Sequence, residues 1–150
     1  METKNRKLVD RLEEILEKNR DAEKGYMKAA ENAKSVSLQS YFRGKSQERK
    51  TFNDTLKTEL VAAYDEIDDD GSFTGTIHRT WMDIKNLFSG NSDKAMLEEA
   101  IRGDKAAVEE YEDVLKDTAL PLSVSGVIRN QLIKIRTDLN KVQRLEDLEK

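Results

Sequence analysis

A chain of 150 residues suits one domain with its own core, and charge is its most unusual feature: 37% is Asp, Glu, Lys or Arg, the same share as is hydrophobic. The 26 Lys and Arg stand against 30 Asp and Glu, a net charge of −4, so no global basic field draws the chain to nucleic acid or an anionic membrane. Zero Cys excludes disulfides, iron–sulfur clusters, thiolate zinc sites and cysteine nucleophiles, and a single His leaves little scope for imidazole metal chemistry.

The opening METKNRKLVDRLEEILEKNR is charged throughout, so we expect neither a signal peptide nor a membrane anchor, and a cytoplasmic protein without membrane insertion. With one Pro and seven Gly, long helices are permitted almost everywhere. From Lys4 to about Ala33, Leu8, Leu12, Ile15, Ala22, Tyr26, Ala29 and Ala33 recur at the three- and four-residue spacing of one helix face. Ser35 or Ser37 caps the next helix, whose stripe runs Leu38, Tyr41, Phe42, Arg49, Phe52, Leu56, Leu60, Ala63 and Ile67. It is expected to stop in the acidic run Asp68-Asp69-Asp70-Gly71-Ser72. That run is not a calcium loop: with Gly71 in the sixth position, Ile77 stands twelfth, where the bidentate Glu belongs.

Between Ser72 and Gly90 the spacing of Phe73, Ile77, Trp81, Ile84 and Phe88 predicts a short helical crossover, closed by Gly90 and followed by a cap at Asn91 or Ser92. A third long helix spans about Asp93 to Lys116 on Leu97, Ile101, Val108, Tyr111 and Leu115. Asp104 fills the gap in that line, so its carboxylate must be paired, metal-bound, neutral or edged to solvent. After Pro121 a fourth helix runs to Leu148 on Val124, Ile128, Leu132, Ile135, Leu139, Val142 and Leu145, with Gln131 beside its centre. Four apolar stripes close economically as an all-α four-helix bundle, one domain over 1–150. Asp93–Asp117 carries a net charge of −5 and Arg129–Arg144 one of +4, so the last two helices are expected to be complementary neighbours.

The crossover stretch GSFTGTIHRTWMDIK, from Gly71 to Lys85, resembles the signature of an uncharacterised bacterial family of ferritin-like four-helix-bundle domains, the domain of unknown function 2383. The resemblance extends from Leu8 to Leu148 through Gly25-Tyr26, Ala29-Ala30-Glu31, Arg49 to Phe52, Arg102-Gly103-Asp104, Tyr111 and Gln131. It implies a ferritin-like fold and no particular substrate or reaction. Ile101 and Asp104 depart from the pattern, which implies an acid and a Glu there.

Di-metal members of the ferritin-like class use a Glu on each of two helices and a Glu-x-x-His pair on each of the other two. This chain has no Glu-x-x-His: Glu48 is followed at that spacing by Thr51, and the last helix offers Gln131 and Asp138. Glu23, Glu48, Glu99 and Asp104 remain as acids near the bundle centre, and a polar layer of Glu23, Glu48, Arg49, Glu99, Asp104 and Gln131, with Arg49 or Arg102 compensating Asp104, is expected in place of a metal centre. In the crossover, Trp81 is read as an anchor, His78 as a hydrogen-bonding group at its start, and Arg79 as the partner of a nearby acid. No phosphate loop, nucleophile elbow or zinc helix is present.

The residues therefore point to a cytoplasmic structural or protein-interaction bundle without a standard di-metal centre, more a non-enzyme than an enzyme. Its partner is a second copy or another protein, and no specific nucleic acid or cofactor is expected. The alternative is a divergent carboxylate-rich protein binding iron or manganese.

Overall fold

The structure is a computed structural model describing residues 2–64 and 92–149. These residues form four helices: α1 Glu2–Asn32, α2 Val36–Ala63, α3 Asp93–Leu115 and α4 Leu122–Glu149. Their ends follow local chemistry. Ser35, in extended conformation, caps α2 through Oγ, which accepts the Leu38 N–H at 3.4 Å. Asp93 reaches the same turn, its carboxylate accepting the N–H groups of Lys34 and Ser35 at 2.8 Å each. The start of α3 is thereby tied to the α1–α2 turn. Ser92 caps α3 by accepting the Ala95 N–H at 3.2 Å. Pro121 precedes α4, and its carbonyl accepts the Ser125 N–H at 2.9 Å, a position where the missing proline N–H costs nothing. α2 stops at Ala63, before the expected Ile67, with Tyr64 as an extended cap. The acidic stop at 68–72 and the crossover residues His78, Arg79 and Trp81 lie outside the described residues.

In cross-section α1 lies beside α2 and α3, and α4 lies beside the same two helices. Contacts between α1 and α3 run in opposite sequence order, Lys18 with Glu110 and Tyr26 with Asp104, so these helices are antiparallel. α2 is antiparallel to α1 across Asn19–Arg49 and Glu23–Ser46. Hence α2 and α3 run parallel, and the chain between Tyr64 and Ser92 joins opposite ends of a bundle whose 28-residue α2 is about 42 Å long.

Two apolar clusters fill the ends of the bundle. One gathers Leu8, Leu12 and Leu16 of α1 with Leu56 and Leu60 of α2, Val114 of α3 and Val124 and Ile128 of α4. The other is built on Ala29 and Ala33, Leu38 and Phe42, Met96, Leu97 and Ala100, and Val142. Burial of such side chains contributes about 1.5–3 kcal/mol each for the larger ones and drives closure. Outside, Arg136 of α4 meets Glu112 of α3 at 2.5 Å, which realises the charge complementarity of the last two helices. No helix among the described residues is long and apolar enough to cross a membrane.

Candidate functional site

Midway between the two clusters, every helix places a polar side chain on its core-facing line. α1 does so with Asn19, in the series Ile15, Asn19, Ala22, Tyr26, and α2 with Lys45 and Arg49, in Leu38, Phe42, Lys45, Arg49, Phe52. α3 contributes Asp104, and α4 contributes Gln131 and Asp138, seven residues apart. All six are buried, Asp104 completely and Lys45 and Arg49 to 3% exposure.

Their partners are one another. Arg49 Nη2 donates to Asp104 Oδ1 at 2.5 Å, and the Tyr26 hydroxyl donates to the same oxygen at 2.9 Å. Arg49 Nη1 donates to Asn19 Oδ1 at 2.7 Å, and Asn19 Nδ2 donates to the Tyr111 hydroxyl oxygen at 3.0 Å. Tyr111 in turn donates to Gln131 Oε1 at 2.7 Å, and Gln131 Nε2 donates to the Phe52 carbonyl at 3.0 Å. One line of hydrogen bonds therefore touches all four helices. A second arm starts at Lys45, whose Nζ lies 2.9 Å from Asp104 Oδ2, 3.0 Å from Asp138 Oδ2 and 3.1 Å from Glu48 Oε2. Lys134 closes it from the α4 side, 2.9 Å from Asp138 and 3.3 Å from Glu48. Lys45 also stands 5.6 Å from the centre of the Tyr26 ring, within cation–π range.

The charges in this layer hold each other in place. Burial alone would lower the Arg49 pKa, but the Asp104 carboxylate beside it reverses the sign and raises it, so the guanidinium stays charged. Burial would likewise raise Asp138; hydrogen bonding with Glu48 and the ammonium groups of Lys45 and Lys134 outweigh it and hold Asp138 well below the usual carboxylate range. Glu48 moves the other way, pushed up by burial and by its hydrogen bond with Asp138. Of this pair Asp138 is the firm anion. Tyr26 and Tyr111 are raised, chiefly by burial, and act as neutral hydroxyl donors.

Of the residues singled out from sequence, Glu48, Arg49, Asp104 and Gln131 lie in this network. Glu23 is half-buried, and its main-chain carbonyl accepts from Ser46 Oγ at 2.8 Å, beside the network. Glu99 pairs with exposed Arg102 instead, so neither joins the layer and Arg102 is not the partner of Asp104. Glu99 stands five residues before Asp104, about 140° round α3, which turns its carboxylate away from the layer. Sequence reasoning missed Lys45 and Asn19, although both sit on the apolar lines of their helices, because a Lys or Asn at such a position reads as a surface residue. It also missed Glu17, which is fully buried, with neither carboxylate oxygen hydrogen-bonded among the described residues. Burial first, then the neighbouring Asp21, pushes the Glu17 carboxyl up to about 7, against the opposing pull of Arg20.

A di-metal centre does not fit this donor set. The carboxylates that converge, Glu48, Asp104 and Asp138, converge on the ammonium of Lys45, which occupies the position a cation would need. Among the described residues no group of three or more His, Cys, Asp or Glu is arranged to hold a metal ion.

Fold and layer together define an all-α four-helix bundle whose central carboxylates, Glu48, Asp104 and Asp138, are paired with its own Lys and Arg. The chain belongs to the family described as a domain of unknown function, DUF2383, whose sequence profile matches residues 7–117, from α1 past the end of α3. Gln131, Lys134 and Asp138 on α4 fall beyond that match. No curated protein matches the chain.

Proposed function

We propose that this protein is a cytoplasmic, non-enzymatic structural or protein-interaction module, a ferritin-like bundle in which a cationic pair has taken the place of the di-metal centre. The topology supports the ferritin-like relationship: one long connection between parallel second and third helices is the arrangement that sets ferritin-like bundles apart from simple up-and-down ones. The observation that carries the functional reading is Lys45. A metal site requires its carboxylates to be open to an added cation, and here three of them already share one ammonium. The protein surface then becomes what the bundle offers, to a second copy or to another protein.

Metal analysis of protein purified without added metals, together with circular dichroism before and after chelation, tests this reading. The expected result is no stoichiometric iron or manganese, unchanged helicity, and no saturable oxidation of Fe(II) on exposure to oxygen. A tightly held metal at fixed stoichiometry, lost on replacing Glu48, Asp104 or Asp138, would establish the alternative of a divergent carboxylate metal protein.

A further inference from the structure

The outer face of α2 stands apart from the rest of the surface. In a chain that is 37% charged, the exposed line of α3 carries a charge at every turn, through Lys94, Glu98, Arg102, Lys105 and Glu109. Along α2 the exposed line runs from Ser37 to Ala62 at three- and four-residue spacing, a length of about 38 Å, and holds only Ser, Gly, Gln, Thr and Ala. Gly44 lies within it. Glycine is disfavoured inside a helix, and no close contact within the chain calls for it here: a Cβ would meet nothing within 4 Å. The fold of one copy therefore gives no reason for this line to lack both charge and bulk.

The charged residues exposed on α2, Arg43, Lys50 and Asp54, all follow one edge of this line, the edge nearer Ser46 and its bond to α1. Arg43 and Asp54 form no ion pair among the described residues, whereas Lys18 with Glu110 and Arg136 with Glu112 do. They stand eleven residues apart on the same edge, three turns, too far for a bond within the helix. The line is symmetric about residue 49. Reversed end for end, it sets Ser37 opposite Ala62, Ser40 opposite Thr58, Gly44 opposite Thr55 and Gln47 opposite Thr51, and it brings Arg43 opposite Asp54 along the shared edge. A two-fold axis demands this kind of self-complementarity, in which one residue meets a second and the second meets the first.

We infer that the outer face of α2 binds a second copy of this chain, the two helices packing antiparallel about a two-fold axis at residue 49, with Arg43 of each copy paired with Asp54 of the other. Small side chains, and Gly44 against Thr55 above all, let the helix axes approach to the short end of the usual range of about 8–10 Å. Lys50, nearest the axis, is turned furthest toward α1 and stays in water. One helix per copy makes a small interface, so the dimer belongs to the weak, reversible class. The inference rests on the reading of the bundle as an interaction module and names its partner. The two fail separately: a bound metal would leave the dimer standing, and a monomer would leave the metal result standing.

Sedimentation velocity of the full chain, from about 10 µM to about 1 mM, tests the dimer. The expected result is a reversible monomer–dimer equilibrium, weakened about fivefold or more by Arg43→Asp and restored when Arg43→Asp is combined with Asp54→Arg. Gly44→Glu, whose Cβ has room within its own copy, should keep wild-type helicity and lose the dimer, with Thr51→Glu as a second blocking variant. Because the chain has no Cys, oxidation reads the register: Gly44→Cys mixed with Thr55→Cys should form a disulfide-linked pair, while neither variant links to itself, since the two-fold sets each about 16 Å along the axis from its own mate. A monomer at the highest concentration, an Arg43→Asp variant that dimerises like the wild type, a charge swap that fails to restore the dimer, a dimer untouched by both folded blocking variants, or either Cys variant linking to itself as readily as to the other would each overturn the assignment.

Discussion

The apolar ends of the bundle and its polar middle are equally buried but hold together by different physics. At the ends, Leu8, Leu12, Leu56 and Val124 gain from leaving water whatever their neighbours are, so a change there costs in proportion to the volume lost. In the middle, Asp104 and Arg49 are stable only as partners: each carries a desolvation cost that the other offsets. The ends supply the folding force, and the middle fixes which residue stands opposite which. Asn19, Arg49 and Asp104, joined to Gln131 through Tyr111, form this set of bonds at one rotation and one vertical register of the four helices.

Breaking one partner in the middle should have the largest effect. Asp104→Ala leaves Arg49 and one arm of Lys45 buried without their carboxylate and is expected to cost about 3–5 kcal/mol in denaturant melts. Truncation at an end, Leu56→Ala, should cost about 2–5 kcal/mol, with the loss set by the cavity that remains. The two differ in rescue: another apolar side chain of similar volume should restore position 56 but not position 104.

Glu17 sharpens the contrast, since it is as buried as Asp104 but has no cation bonded to it among the described residues. Burial pushes its carboxyl up to about 7 from the ordinary 4.5, so its contribution favours the fold below 4.5 and is lost as pH rises through about 7. Glu17→Gln is therefore expected to match the wild type at pH 4 and exceed it by about 1–3 kcal/mol at pH 8, measured as paired melts at each pH. Equal stability of the two proteins at pH 8 would mean that Glu17 is compensated. The smallest effect belongs to the surface. Lys18→Ala and Arg136→Ala break ion pairs that water screens, and each should change stability by about 0–1 kcal/mol, less in high salt.

Much of the architecture is legible in the sequence because a helix writes its buried face at a fixed spacing. The run Leu38, Phe42, Phe52, Leu56, Leu60 and the Asp at 104 between Ile101 and Val108 both carry through to the folded chain. The pairing inside the layer is less legible. Asp104 announces that it needs a cation, but whether Arg49, Arg102 or Lys45 supplies it depends on how two helices far apart in sequence are rotated and staggered. Lys45 is the plainest case: its charge suggests the surface, and only its four-residue offset from Arg49 places it inside. The capping of the α1–α2 turn by Asp93 arises from packing between helices, so no local pattern spells it out.

Glu48, Asp104 and Asp138 are held by the protein's own cations, and a double-mutant cycle on Arg49 and Asp104 tests that most directly. Arg49→Met, Asp104→Leu and the combined variant would be compared by equilibrium denaturation without metal. Each single change is expected to cost about 3–5 kcal/mol, and the double less than their sum by up to about 3 kcal/mol, because Lys45 keeps Glu48 and Asp138 once Asp104 is gone. Losses that simply add, or an Asp104→Leu variant as stable as the wild type, would contradict the claim that these two side chains neutralise each other at the centre of the bundle.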